Sequence, residues 1–139
     1  MHRIESPRND DQAIEQEIVA KGKTAARVTP ADIAANIESE HYFTAGDGVN
    51  GANFLRTMDD QTGVINAFDS PLAPKELFLL TFCVLVLKNG FTVTGESACA
   101  SPENFDEEIG RRIARENAVQ KIWPLMGYAL KQRLHDQAG

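Results

Sequence analysis

At 139 residues, 42% hydrophobic and 24% charged, with a net charge of −6, the chain has the size and make-up of one globular domain. Its longest apolar run, Leu77 to Leu87, is interrupted by Thr81 and falls short of the ~18 residues that a membrane span needs. The acidic balance excludes broad binding to a nucleic-acid polymer, which rests on many Lys and Arg contacts to phosphates, but leaves room for one small anionic ligand in a basic pocket.

The opening MHRIESPRNDDQ is polar where a signal peptide needs an apolar core. Two cysteines without an export signal fit free thiols in a reducing cytoplasm. Residues 1–27 read as an acidic flexible tail, because Asn9, Asp10, Asp11, Gln12 and Gln16 leave too few large apolar side chains to offset the entropy of ordering. Ile14, Ile18 and Val19 permit at most a short marginal helix. Residues 28–139 read as a single α+β domain.

Thr29-Pro30-Ala31-Asp32 predicts a helix start: an N-cap, a proline at the first helical position and an acid at the positive end. Ile33 and Ile37 share one face, and the helix is expected to end near Glu40, before a short extended His41–Thr44. From Ala45 to Pro74, glycines and prolines punctuate the chain. This predicts a loop-rich segment, relieved by short elements at Phe54–Met58 and Val64–Phe68.

The clearest signal follows. Two β-rich runs flank Asn89-Gly90, predicting a central antiparallel β-hairpin over about 77–98 with a two-residue type I′ turn. That turn sets Lys88 opposite Phe91, Val86 opposite Val93 and Val84 opposite Gly95. One face then carries Phe82, Val84, Val86, Phe91 and Val93, and the other Cys83, Leu85 and Leu87 against Thr92, Thr94 and Glu96. The first strand is apolar on both faces, so it is expected to be central and covered twice. Cys83 and Cys99 fall on opposite faces, which argues against a disulfide.

Ser101-Pro102 predicts the start of a long C-terminal helix reaching about Leu134, with a kink near Pro124 or a break into two helices near Trp123. Phe105, Ile109, Val119, Trp123, Met126, Leu130 and Leu134 form its apolar stripe, expected to pack on the Phe82/Val84/Val86 face. Arg112 and Glu116 interrupt that stripe, either as an edge ion pair or where it gives way to a polar pocket. Arg111, Arg112 and Arg115 lie within five positions and could form an anion site or a solvated basic patch, since guanidinium forks match phosphate oxygens. Asn89 and Gly90 are explained by the turn, while Phe91 beside the tip could stack on a base.

Other chemistry finds no support. His2, His41 and His135 are scattered and no Cys-x-x-Cys pair exists, so no metal site is expected. Gly95-Glu-Ser-Ala-Cys99 is not a nucleophile elbow. Gly46–Gly51 lacks the residues of a phosphate loop or a calcium loop. No catalytic residue and no cofactor is assigned.

Several stretches carry a resemblance: Glu40-His-Tyr-Phe-Thr44, Leu80-Thr-Phe-Cys-Val-Leu-Val-Leu-Lys-Asn-Gly-Phe-Thr-Val-Thr-Gly-Glu-Ser-Ala-Cys99, Pro102-Glu-Asn-Phe-Asp106, Ile109-Gly-Arg-Arg-Ile-Ala114, Glu116-Asn117 and Lys121-Ile-Trp-Pro-Leu-Met-Gly-Tyr128. Over about residues 29–134 the chain resembles a family of small accessory proteins from tailed phages and prophages, most of them without an assigned function. This implies a place in the host bacterial cytoplasm. The strand–hairpin–helix layout is also similar to the Thoeris anti-defence proteins, which bind and sequester cyclic ADP-ribose signals. That resemblance implies a non-catalytic, metal-free oligomer with nucleotide pockets between protomers.

The expectation is therefore a homodimer or larger assembly that binds a small nucleotide signal. On the chemistry of the residues, Phe82 or Phe91 would stack on the adenine, and Arg111, Arg112 and Arg115 would neutralise the pyrophosphate. Lys88, Asn89, Asn104 and Asn117 would supply polar contacts. The alternative is a protein–protein adaptor that inhibits a host protein through the exposed hairpin face.

Overall fold

The computed structural model describes residues 7–58 and 72–139. In chain order these form α1 (Pro7–Ala20), α2 (Pro30–Ala35), β1 (Ile37–Thr44), α3 (Ala45–Arg56), β2 (Leu80–Leu87), β3 (Thr92–Ala98), α4 (Glu107–Gln120) and α5 (Ile122–Ala138), with 3-10 turns at Lys75–Leu79 and Pro102–Asn104. The fold is α+β. The three strands make one antiparallel sheet in the order β1-β2-β3, and α4 packs on β2 and β3.

The first half of the chain is more regular than its composition suggests. Thr29 and Asp32 form the expected capping box of α2. The helix stops at Ala35 rather than near Glu40, because the Asn36 carbonyl is taken by the Lys88 amide at 2.9 Å. Ile37 then belongs to an eight-residue strand, which supplies the third strand that a lone hairpin needs for stability. The expected loop at 45–56 is instead α3, opened by a second capping box between Thr44 and Asp47. Gly46 is required there: a Cβ would sit 2.6 Å from the Phe78 ring. The element expected at Val64–Phe68 lies outside the described residues.

The hairpin register corrects the expectation by one residue. Leu87 N–H donates to the Phe91 carbonyl at 2.8 Å, so the loop contains three residues, Lys88 to Gly90. Only Gly90 has positive φ, at 89°, which is the left-handed residue closing a three-residue loop rather than a type I′ turn. The Asn89 side chain holds it by accepting from the Phe91 amide at 2.9 Å. Leu85 now pairs with Val93 and Cys83 with Gly95. A one-residue slip turns every side chain of one strand over, so α4 covers Cys83, Leu85 and Val93, not Phe82, Val84 and Val86. The strand β2 is central, yet among the described residues only one of its faces is well covered, and Phe91 is 56% exposed.

The face that α4 presents to the sheet also departs from the predicted stripe. Its buried residues are Gly110, Ala114, Glu116, Ala118 and Val119, and the small ones, Gly110, Ala114 and Ala118, set the approach. A Cβ on Gly95 would lie 2.2 Å from the Ala114 carbonyl oxygen and 2.3 Å from the Ala118 nitrogen. Backbone therefore rests on backbone. Ala114, Ala118, Ile122, Cys83, Leu85 and Ile33 are buried to within a few per cent, with Trp123 and Met126 packed beside them.

The helix start is shifted too. Pro102–Asn104 form a 3-10 turn, and Asp106, not Ser101, caps α4 by accepting from the Ile109 amide. Of the expected kink or break, the chain takes the break, at Lys121. Pro124 has no N–H to offer the Gln120 carbonyl and its ring crowds that carbonyl, so α4 ends there. The segment before residue 28 contains α1, which meets the domain through Gln120 to Asp11 at 3.1 Å and is tied to its own following stretch by a bidentate Arg27–Glu15 pair. Both cysteines are free thiols.

Candidate functional site

Between β1 and α4 lies a charged network. Arg115 donates from Nε and Nη2 to the two oxygens of Glu40, at 2.9 and 3.1 Å. Tyr42 Oη donates to the same carboxylate at 2.7 Å, and the Arg111 guanidinium sits 5.6 Å over the Tyr42 ring. Arg111 is paired in turn with Glu107 at 2.7 Å. The Arg115 bonds hold Glu40 below the usual carboxylate range. Burial, followed by its bond to Glu40, pushes the Tyr42 phenol up, and burial raises the Cys83 thiol behind it. The arrangement fixes α4 to the edge strand and contains no activated nucleophile.

The nine candidate binding residues fall in separate places. Lys88, Asn89 and Phe91 gather at the hairpin turn, beside Leu125, Met126 and Ala129 of α5. Lys88 is paired with Glu38 at 3.3 Å, and Asn89 is engaged in the turn itself. Arg111 lies at the opposite end of β2, near Thr81, so the arginines and the turn do not meet in one pocket. Arg112 is exposed and enters no ion pair among the described residues. Asn117 Nδ2 donates to the Glu96 carbonyl at 2.9 Å, and Asn104 is exposed at the end of its 3-10 turn. Phe82 stands apart from all of these on the face of the sheet opposite α4.

That open face is the feature that residue-by-residue reading missed. The pairings set three rows across it: Phe43, Phe82 and Glu96; His41, Val84 and Thr94; Ser39, Val86 and Thr92. The Phe43 and Phe82 rings stack with centroids 5.6 Å apart. His41 Nε2 and Ser39 Oγ share a hydrogen bond at 3.0 Å. Phe43 is 37% exposed, and Phe82, Val84 and Val86 are half-buried. The alternation of Ile37–Thr44 carried the signal, but it becomes legible only when that segment is read as a strand.

Among the described residues, no group of three or more His, Cys, Asp or Glu is placed to hold a metal ion. No helix among them is long and apolar enough to cross a membrane. A three-stranded sheet backed on one face by a broken C-terminal helix, its other face not well covered by any described element, defines a small α+β module. The chain belongs to the phage protein (N4 Gp49/phage Sf6 gene 66) family, whose profile matches residues 28–134. No curated protein matches the chain, and no solved structure does.

Proposed function

We propose that this phage-family protein is a non-catalytic docking module that binds another protein through the open face of its sheet. One observation carries this reading: the central strand of the sheet presents Phe82, Val84 and Val86 to a side that no described element covers well. Apolar surface left in water favours burial by ~25 cal/mol per Å². At standard strand spacings the three rows span about 10 Å by about 13 Å between Cα atoms, enough for the apolar centre of an interface. Ser39, Thr92 and Thr94 supply a polar rim.

The face also selects its partner class. On a chain of net charge −6, it carries one carboxylate, Glu96, at a corner, and His41 in the middle row. It therefore suits an uncharged, apolar protein surface rather than a polyanion. A cyclic ADP-ribose-type signal, the ligand implied by the Thoeris resemblance, draws less support from the geometry, because Arg111 and Arg115 are paired with Glu107 and Glu40.

The test compares wild type with Val84→Lys on the open face and Phe91→Ser at the turn. Host proteins retained by wild type are identified, purified and titrated against all three. A purified partner that binds wild type and Phe91→Ser alike but loses about a hundredfold with Val84→Lys supports the reading. A partner indifferent to Val84→Lys overturns it. So does a homodimer in sedimentation that Val84→Lys dissolves, since a second copy would then own the face.

A further inference from the structure

At the Phe43 end of the sheet, β1, α3 and α4 line a cavity of about 180 Å³ that shares only Phe43 with the open face. Its walls are aromatic: Phe43 from β1, Phe78 from the 3-10 turn before β2, and Phe105 from the approach to α4. Phe78 is held in place against the first turn of α3, where Gly46 lets the ring come close. Thr81 also lines the cavity. Its residue is 2% exposed, and its hydroxyl has no hydrogen-bond partner among the described residues, an unfavourable arrangement for a buried polar group.

The polar groups at this cavity are of both signs. Arg111 donates one bond to Glu107 and retains further N–H donors of its fork. Glu107 and Asp47 bring two carboxylates. Asp47 is already engaged with the Thr44 amide in the α3 cap. Two acids against one base disfavour an anion. They suit instead a neutral ligand that offers a donor and an acceptor side by side.

Volume narrows the choice. A cavity near 150 Å³ holds a single benzene-sized ring, and aromatic walls bind flat rings by stacking. The geometry points to a binding site for a neutral, single-ring heteroaromatic with an amino and a carbonyl group flanking one ring nitrogen, the chemistry of cytosine. Its amino group would donate to Glu107 or Asp47 and its carbonyl would accept from Arg111, with the ring among Phe43, Phe78 and Phe105. Any phosphate would lie outside, away from the two carboxylates.

Nuclear magnetic resonance titration of the full chain with cytidine and uridine tests this. The two nucleosides differ at the amino group that the carboxylates would recognise, a carbonyl in uridine, and at the ring nitrogen beside it, which in uridine carries a hydrogen. Saturable shifts of the 43–47, 78–81 and 105–111 amides with cytidine are expected, with uridine about tenfold weaker or more, the equivalent of one hydrogen bond. Arg111→Gln should weaken cytidine about tenfold while leaving the remaining spectrum unchanged. Guanosine, which also carries an amino and a carbonyl group but on two fused rings, should be excluded by size. Absence of saturation at millimolar cytidine, equal binding of uridine, or tighter binding of guanosine would each overturn the assignment. Cytidine monophosphate binding better than cytidine would overturn the placement of the phosphate outside.

Discussion

Glu40 shows how a partly exposed residue can hold two elements together. Its carboxylate takes two bonds from Arg115 and one from Tyr42, and its folded pKa is lowered chiefly by the Arg115 bonds. A depressed folded pKa means that the contribution is present above the unfolded value of about 4.3 and is lost as the pH falls through the folded value. The stability difference between wild type and Glu40→Gln should therefore be full above about pH 5 and shrink towards acid, as measured by urea midpoints between about pH 2.5 and 7. With both side chains about a third exposed, the difference should stay near 1 kcal/mol or less. A gap that is flat with pH would remove Glu40 as the titrating group. None of this pairing was legible in the sequence. Glu40 and Arg115 are 75 positions apart, and Arg115 read instead as part of an anion site.

Among the elements, the hairpin turn and α3 use glycine for opposite reasons. Gly90 sits at φ +89°, where a side chain is strained, so Gly90→Ala should cost about 1–2 kcal/mol. Gly51 lies inside α3 with nothing within 4 Å of a Cβ, so Gly51→Ala should stabilise by about 0.5–1 kcal/mol. Opposite shifts of the thermal midpoint would confirm both assignments; equal signs would contradict one. The hairpin itself was evident from Asn89-Gly90 between apolar runs, but its register was not. Two- and three-residue loops share that dipeptide, and the choice here follows α4. Only backbone-to-backbone approach at Gly95 lets Ala114 and Ala118 pack against the sheet, which ties Gly95 and Val93 to the Cys83/Leu85 face. Hydrophobic periodicity passed over Gly110, Ala114 and Ala118 because small side chains carry little of that signal. It likewise passed over α3, whose glycines resemble loop punctuation while its Thr44–Asp47 capping box does not.

For the whole molecule, the family match begins at residue 28, whereas α1 lies before it and bonds to α4 through Gln120 and Asp11. Ile14 and Val19 of α1 are more than half exposed, and cavities of about 170–180 Å³ remain where α1 meets the body at Trp123. The helix is therefore an addition to a module whose core lies elsewhere. A chain lacking residues 1–27 should keep its circular dichroism spectrum and a single cooperative unfolding transition, while Trp123 fluorescence moves to longer wavelength as α1 uncovers the indole. Loss of cooperative unfolding would place α1 within the folding unit.

Local chemistry, acting between neighbours in the chain, was enough to determine the α+β class, the hairpin, the α2 cap and the break before Pro124, while the phage-family resemblance rested on whole stretches of matching sequence. Which side of β2 faces α4, where the arginines spend their charge, and which aromatic rings enclose a cavity depended on contacts between distant segments. A strand with apolar residues on both faces satisfies either register by itself. The preference came from a helix with a small-residue face arriving later in the chain, and from a first strand whose carboxylate reached across to meet it.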